Sequence, residues 1–186
     1  MKITLKKCRL AFPQIWEAKG FQDGGEPRFS AIGIIEPEGE NLEAIRKAVK
    51  NAAEVKWKDK AKVILNELEK KGRVCYDTSP KTSGNGEPYA GFEGHAWVSA
   101  ANKQRPRIVD RDKTDLVQAD GRPYGGCYVN LVIDTWAQDN KFGKRVNATL
   151  LGVQFVADGE AFSGGAAVTE EDFEEIEVDA EAAEFI

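Results

Sequence analysis

The stretch GCYVNLVIDTWA, Gly126 to Ala137, decides the fold. Its residues fall into two alternating sets: Cys127, Val129, Leu131 and Ile133 on one side, and Tyr128, Asn130, Val132, Asp134 and Trp136 on the other. Successive side chains of a strand point to opposite faces, so a period of two marks a β-strand. The first set is the drier, and if it forms the core, Tyr128 and Asn130 point outward. VNATLLGVQFV, Val146 to Val156, is a second apolar strand, and QDNKFGKR, Gln138 to Arg145, has the polar and glycine content of a hairpin joining the two. Trp136 and Phe155, deep in these apolar strands, are assigned to the core.

Working outward, KITLKKCRLAF at residues 2–12 alternates apolar with basic residues before Pro13, which predicts a strand with one wet, positive face. RFSAIGII, Arg28 to Ile35, repeats the strand signal. Between them, Lys19 to Pro27 holds three glycines and a proline, suited to a loop that reaches a ligand. From Asn41 the spacing turns helical, with Leu42, Ile45, Val49 and Ala52 on one face and Asn41 placed to cap the helix. A second helix is predicted from Ala61, Ile64, Leu65 and Leu68, ended by Gly72, and the lysines of both helices read as solvated surface. Asp77 to Gly91 (DTSPKTSGNGEPYAG) is rich in turn formers, and FEGHAWVSA, Phe92 to Ala100, is a strand carrying His95, Trp97 and Ser99 on one face. The body is therefore mainly β with one inserted helical pair. The lack of regular strand and helix alternation argues against a doubly wound sheet.

Charge divides the chain in two. Residues 1–157 hold all 26 Lys and Arg against 20 Asp and Glu, a net of +6, whereas residues 158–186 hold 11 Asp and Glu and no Lys, Arg or His, a net of −11. A basic body at 1–157 is thus hidden behind the total of −5 by an acidic C-terminal tail at 158–186. A block of like charge cannot bury enough apolar surface to offset chain entropy, so the tail is expected to be largely disordered and to act as an interaction segment. No stretch approaches the ~20 apolar residues of a membrane span, and the N-terminus lacks the apolar core of a signal peptide. Cys8, Cys75 and Cys127 are odd in number and far apart, without a C-x-x-C pair, and read as reduced thiols of a cytosol.

The residues offer little to catalysis. His95 is the only histidine, no G-x-S-x-G or phosphate-loop motif occurs, and Asp110, Asp112 and Asp115, the one acidic group suggestive of a metal-dependent nuclease, sit among arginines whose repulsion they limit. No catalytic residue, metal or cofactor is expected. Charge and stacking offer more, because single-stranded nucleic acid is held by a positive groove along its phosphates and by aromatic rings under its bases, each stack worth about 1–3 kcal/mol. The candidate cations are Lys6, Lys7, Arg9, Arg28, Lys103, Arg105 and Arg107, the last three in the arginine-dense stretch Lys103 to Lys113. The candidate rings are Phe12, Trp16, Phe21, Trp97, Tyr124 and Tyr128, with core packing the expected fate of more than half. A protein-interaction module whose acidic tail imitates nucleic acid is the reading from another class.

GCYVN at Gly126 to Asn130, GVQFVADGEAFSGG at Gly152 to Gly165, RLAFPQIWEAK at Arg9 to Lys19 and PRFSAIGIIEP at Pro27 to Pro37, followed by the acidic tail, resemble the phage-encoded single-stranded DNA-binding proteins of the OB-fold type. The resemblance spans nearly the whole chain. It implies an OB-fold Greek-key β-barrel with inserted helices, coating single-stranded DNA during phage replication, recombination and repair in the cytoplasm of the bacterial host. It also implies that the tail, through Asp172, Phe173, Glu174, Glu175, Glu184, Phe185 and Ile186, recruits replication or recombination proteins and competes with DNA for the basic cleft. Here Phe185 is penultimate and Ile186 last, a departure from the terminal aromatic of that pattern. A homodimer through barrel edges or tail exchange is compatible with the sequence.

Overall fold

The structure, a computed structural model, describes residues 1–20 and 24–162. Phe21 and the tail residues Asp172, Phe173, Glu174, Glu175, Glu184, Phe185 and Ile186 lie outside the described residues. Within the described residues run strands β1 (Lys2–Lys19), β2 (Arg28–Ile35), β3 (Tyr76–Asp77), β4 (Ala96–Asn102), β5 (Arg107–Val109), β6 (Tyr128–Asn140) and β7 (Gly143–Ala157), with helices α1 (Glu40–Trp57) and α2 (Ala61–Lys70) between β2 and β3. The sheet order is β3-β4-β2-β1-β6-β7-β5, and β4 also meets β7 in parallel at Ala101 and Thr149. Strands β1, β2, β4, β7 and β6 therefore close into a five-stranded Greek-key barrel, the OB-fold architecture. No helix among the described residues is long and apolar enough to cross a membrane.

The alternation of β6 fixes what is inside. Cys127, Val129, Leu131 and Ile133 are buried together with Leu5, Cys8, Leu10 and Ile15 of β1 and Leu150, Val153 and Phe155 of β7. The same alternation corrects the placement of Trp136. Thr135 continues the inward set, its hydroxyl donating to the Ala48 carbonyl at 3.0 Å, so Trp136 turns outward and is 44% exposed. Apolar neighbours in sequence put it on the wrong side, whereas Phe155 is in the core as expected.

Strand β1 serves two partners, β2 and β6, and bends to do so. Lys7 (φ 50) and Phe12 (φ 46) leave the extended region where the pairing registers shift. These bulges let the strand run on through Pro13 to Lys19, past the end that the proline predicts, because a bulged position needs no ladder hydrogen bond. Asn41 does not cap α1; Gly39 precedes the helix at φ 115. Instead the Asn41 side chain accepts from the Lys6 amide at 2.9 Å and donates to the Lys6 carbonyl at 2.7 Å, pairing the backbone that the bulge leaves free. Leu42, Ile45, Val49 and Ala52 are buried, and Gly72 (φ 62) follows the end of α2.

Two further departures shape the outer surface. β4 begins at Ala96, and Phe92 instead packs with Ala11 and Ile34 in a second small apolar cluster. Tyr89 and Phe92 thus lie over the outer face of the β1–β2 part of the wall. The Trp57 indole at the end of α1 donates to Asp139 Oδ2 at 2.8 Å, anchoring the β6–β7 hairpin close to its turn. Cys8, Cys75 and Cys127 are buried and unpaired, and burial pushes the thiols of Cys8 and Cys75 up to about 12.

Candidate nucleic-acid interface

The outward residues of β2 and β4 form the floor of a groove of about 630 Å³. β2 contributes Arg28 and Ile32, and β4 contributes Trp97, Ser99 and Ala101 at alternate positions, their neighbours Ala96, Val98 and Ala100 being buried. The β6–β7 hairpin raises one wall with Trp136, Arg145 and Asn147, while Lys81 and Lys103 stand on the other rim. Among the described residues none that lines the groove is acidic. A concave surface with Arg28, Lys81, Lys103 and Arg145 and no lining carboxylate concentrates positive potential.

The two indoles are held differently. Trp97 Nε1 donates to the Ser79 carbonyl at 2.9 Å, and the Lys81 ammonium lies 4.8 Å from its ring centroid. The ammonium thus lies over a face of the ring. Trp136 stands on a hairpin that is held near its turn through Asp139. The Trp57 indole N–H, and with it the Lys144 ammonium at 3.4 Å, holds the Asp139 carboxyl below its usual range. At the hairpin tip Phe142 is 73% exposed with the Lys141 ammonium 5.1 Å from its ring.

Of the sequence candidates within the described residues, Arg28, Trp97 and Lys103 meet in this groove. Lys6, Lys7, Arg9 and Tyr128 gather in a second concavity of about 910 Å³, which Glu36, Glu93 and Asp158 also line. Arg9 is occupied there: Nε donates to the Gly126 carbonyl at 3.2 Å, Nη2 to the Glu160 carbonyl at 2.8 Å, and its guanidinium lies 4.2 Å from the Phe162 ring centroid. The Tyr124 hydroxyl donates to Asp158 Oδ1 at 2.8 Å and accepts from the Gly159 amide at 3.2 Å. Phe12 packs edge-on against Tyr89, centroids 5.0 Å apart. Trp16 packs on the core, with its carbonyl taken by Arg105, whose guanidinium also sits 5.9 Å from Phe29. Arg107 pairs with Asp115 at 3.0 Å.

Sequence reasoning missed Lys81, Trp136, Arg145 and Phe142. The signal for three of them is present in WAQDNKFGKR, where rings and cations alternate across a hairpin. The loop aspartates each have their own partner. Asp110 meets Arg122 at 2.7 Å, and that guanidinium, aided by the Arg111 amide, holds its carboxyl below the usual range; Asp112 accepts from the Thr114 hydroxyl at 2.6 Å.

Over residues 1–184 the sequence matches the family described as Enterobacter phage Enc34, ssDNA-binding protein. The chain belongs to that family. A relative, putative protein p50 of Acyrthosiphon pisum secondary endosymbiont phage 1, is 37% identical over 179 residues, covering 95% of this chain and 94% of its own. The single-stranded DNA-binding protein of bacteriophage Enc34, solved in complex with ssDNA, superposes with a TM-score of 0.66 at 26% identity over 87% of this chain and 89% of that one. The gp2.5 single-stranded DNA-binding protein of bacteriophage T7 is alike in fold, with a TM-score of 0.56 at 11% identity over 90% of this chain and 98% of that one.

Proposed function

We propose that this protein binds single-stranded DNA without strong sequence preference, along the groove between β2, β4 and the β6–β7 hairpin. The observation that carries the proposal is the meeting of four cations and two indoles in one concavity without a lining carboxylate. Cations there neutralise phosphates and release counterions, while every base presents a π-face to a ring, so affinity does not depend on sequence. Phe142 and Lys141 extend the same surface along the hairpin, since OB-folds bind through this face and the loops at its ends. Membership in a family of phage ssDNA-binding proteins supports the reading.

The binding is stoichiometric, with no catalytic step. It serves phage DNA replication, recombination and repair in the cytoplasm of the bacterial host. The body extends to Phe162, because Asp158 to Phe162 are bonded to Arg9, Tyr124 and Gly125. Beyond it, residues 163–186 form a tail that competes with DNA for the groove and recruits replication or recombination proteins. A tethered acidic segment has an effective concentration near the millimolar range, enough to occupy exposed cations until a polyanion displaces it.

The test is a fluorescence-anisotropy titration of labelled single- and double-stranded oligonucleotides over a salt series, with the full chain and with a chain shortened to Phe162. Preferential binding of single strands, log K falling against log salt by ~0.7 per phosphate neutralised, and tighter binding on shortening are expected. Failure of both chains to bind single strands would overturn the proposal. Loss of all activity on shortening would favour a tail that acts on a protein partner instead.

A further inference from the structure

Arg28 and Lys103 lie side by side at one end of the groove. Their strands pair antiparallel with Phe29 opposite Asn102, so the next residues outward, Arg28 on β2 and Lys103 just past β4, are brought together. Two cations so placed repel. The Glu26 carboxylate answers them: it forms an ion pair with Lys103, and the Lys103 hydrogen bond and charge, with a smaller contribution from Arg28, hold its carboxyl below the usual range. Pro27 follows directly and keeps Glu26 out of the helical region, which fixes the carboxylate near the strand end.

We infer that Glu26 is a built-in competitor for nucleic-acid phosphate at the Arg28–Lys103 end of the groove. The carboxylate stands where a phosphate would meet the same two cations, and it must yield before Lys103 takes up DNA. The geometry suits exchange, because the Glu26 and Lys103 side chains are 68% and 63% exposed and an exposed pair is weak. While Glu26 neutralises Lys103, that lysine presents little net charge to a phosphate and releases few of the cations condensed on the strand. The contact therefore lowers affinity and weakens its salt dependence together. The inference rests on the groove being the binding site, as proposed above.

The test is Glu26→Gln in the full chain, measured by anisotropy with a single-stranded oligonucleotide over a salt series. Removing an exposed competitor of ordinary strength is expected to tighten binding about two- to fivefold at low salt. The slope of log K against log salt should steepen by up to ~0.7, one phosphate's worth, since Lys103 is then free to neutralise a phosphate and release its condensed cation. Lys103→Gln should remove most of that gain when combined with Glu26→Gln. Glu43→Gln, the same charge change on the exposed face of α1 away from the groove, should give none of it. Equal or weaker binding by Glu26→Gln, an undiminished gain in the Lys103→Gln background, or an equal gain from Glu43→Gln would each overturn the inference. If replacing Trp97 and Trp136 weakens binding while Glu26→Gln is silent, only this inference falls; if the tryptophan replacements are also silent, the groove is not the site.

Discussion

Two concavities on this barrel hold similar numbers of cations and differ in what surrounds them. The groove sets Arg28, Lys81, Lys103 and Arg145 around two indoles, without an acidic lining residue. The other concavity sets Lys6, Lys7 and Arg9 against Glu36, Glu93 and Asp158, and Arg9 is further bound by two carbonyls and a ring. The second space is the larger, so size does not choose between them. The indoles that stand among the cations of the groove do. An exposed ion pair is worth ~0–1 kcal/mol and a stacked base ~1–3 kcal/mol, so the surface where rings stand among the cations is the one proposed to hold DNA, even with Lys103 paired to Glu26. In the second concavity Arg9 and Asp158 bind the chain from Asp158 to Phe162 onto the body.

The largest effect expected from this contrast is on the rings. Trp97→Ala with Trp136→Ala should weaken single-strand binding about 10²-fold or more, from ~1–3 kcal/mol per lost stack, read by anisotropy at fixed salt. Unchanged affinity would break the comparison at its root. Next comes the structural side. A Cβ at Gly126 would stand 2.1 Å from the Glu160 carbonyl oxygen, at a φ of +108 that side chains rarely adopt. Gly126→Ala should therefore cost about 2 kcal/mol or more, lowering Tm by roughly 4–8 °C, and thermal unfolding followed by circular dichroism would show it. An unshifted Tm would mean that Asp158 to Phe162 are not stapled to the barrel.

The smallest effect separates the two sets of lysines and arginines. Lys81→Gln with Arg145→Gln should flatten the slope of log K against log salt by ~1.4, two phosphates' worth. Lys6→Gln with Lys7→Gln should leave the slope and the affinity nearly unchanged, within about twofold, because these cations face Glu36, Glu93 and Asp158 across their concavity. Equal slopes from the two pairs would erase the distinction between the concavities.

The strands are legible because period two is a local property. β6 and its buried set follow from GCYVNLVIDTWA, and the buried face of α1 from Leu42, Ile45, Val49 and Ala52. Errors arise where a distant partner decides. Asn41 has the chemistry of a cap, but the bulge at Lys7 leaves the Lys6 backbone unpaired within its reach, and those bonds take it. Trp136 is the exception, since the period of two already sets it on the outward face with Tyr128, and its apolar neighbours alone suggested the core. In the sequence the candidate site is a set of cations and rings with no geometry. Arg28, Trp97 and Lys103 of that set fall in the groove, and the hairpin that supplies Trp136, Arg145 and Phe142 reads as a connection only.

The mainly β body, the inserted helical pair, the division into a basic body and an acidic tail, and the family all follow from the amino-acid sequence alone. Each of these rests on neighbours in the chain, through period, composition or motif. Which cations act together depends instead on how the barrel closes. Bringing β4 against β7 carries residues 28, 81, 97, 103, 136 and 145 to one surface, while the β1–β2 and β6–β7 pairings bring Glu36 and Asp158 into the concavity of Lys6 and Lys7. Electrostatics and stacking depend on distance in space, and that distance is fixed by strand pairings between residues far apart in the chain.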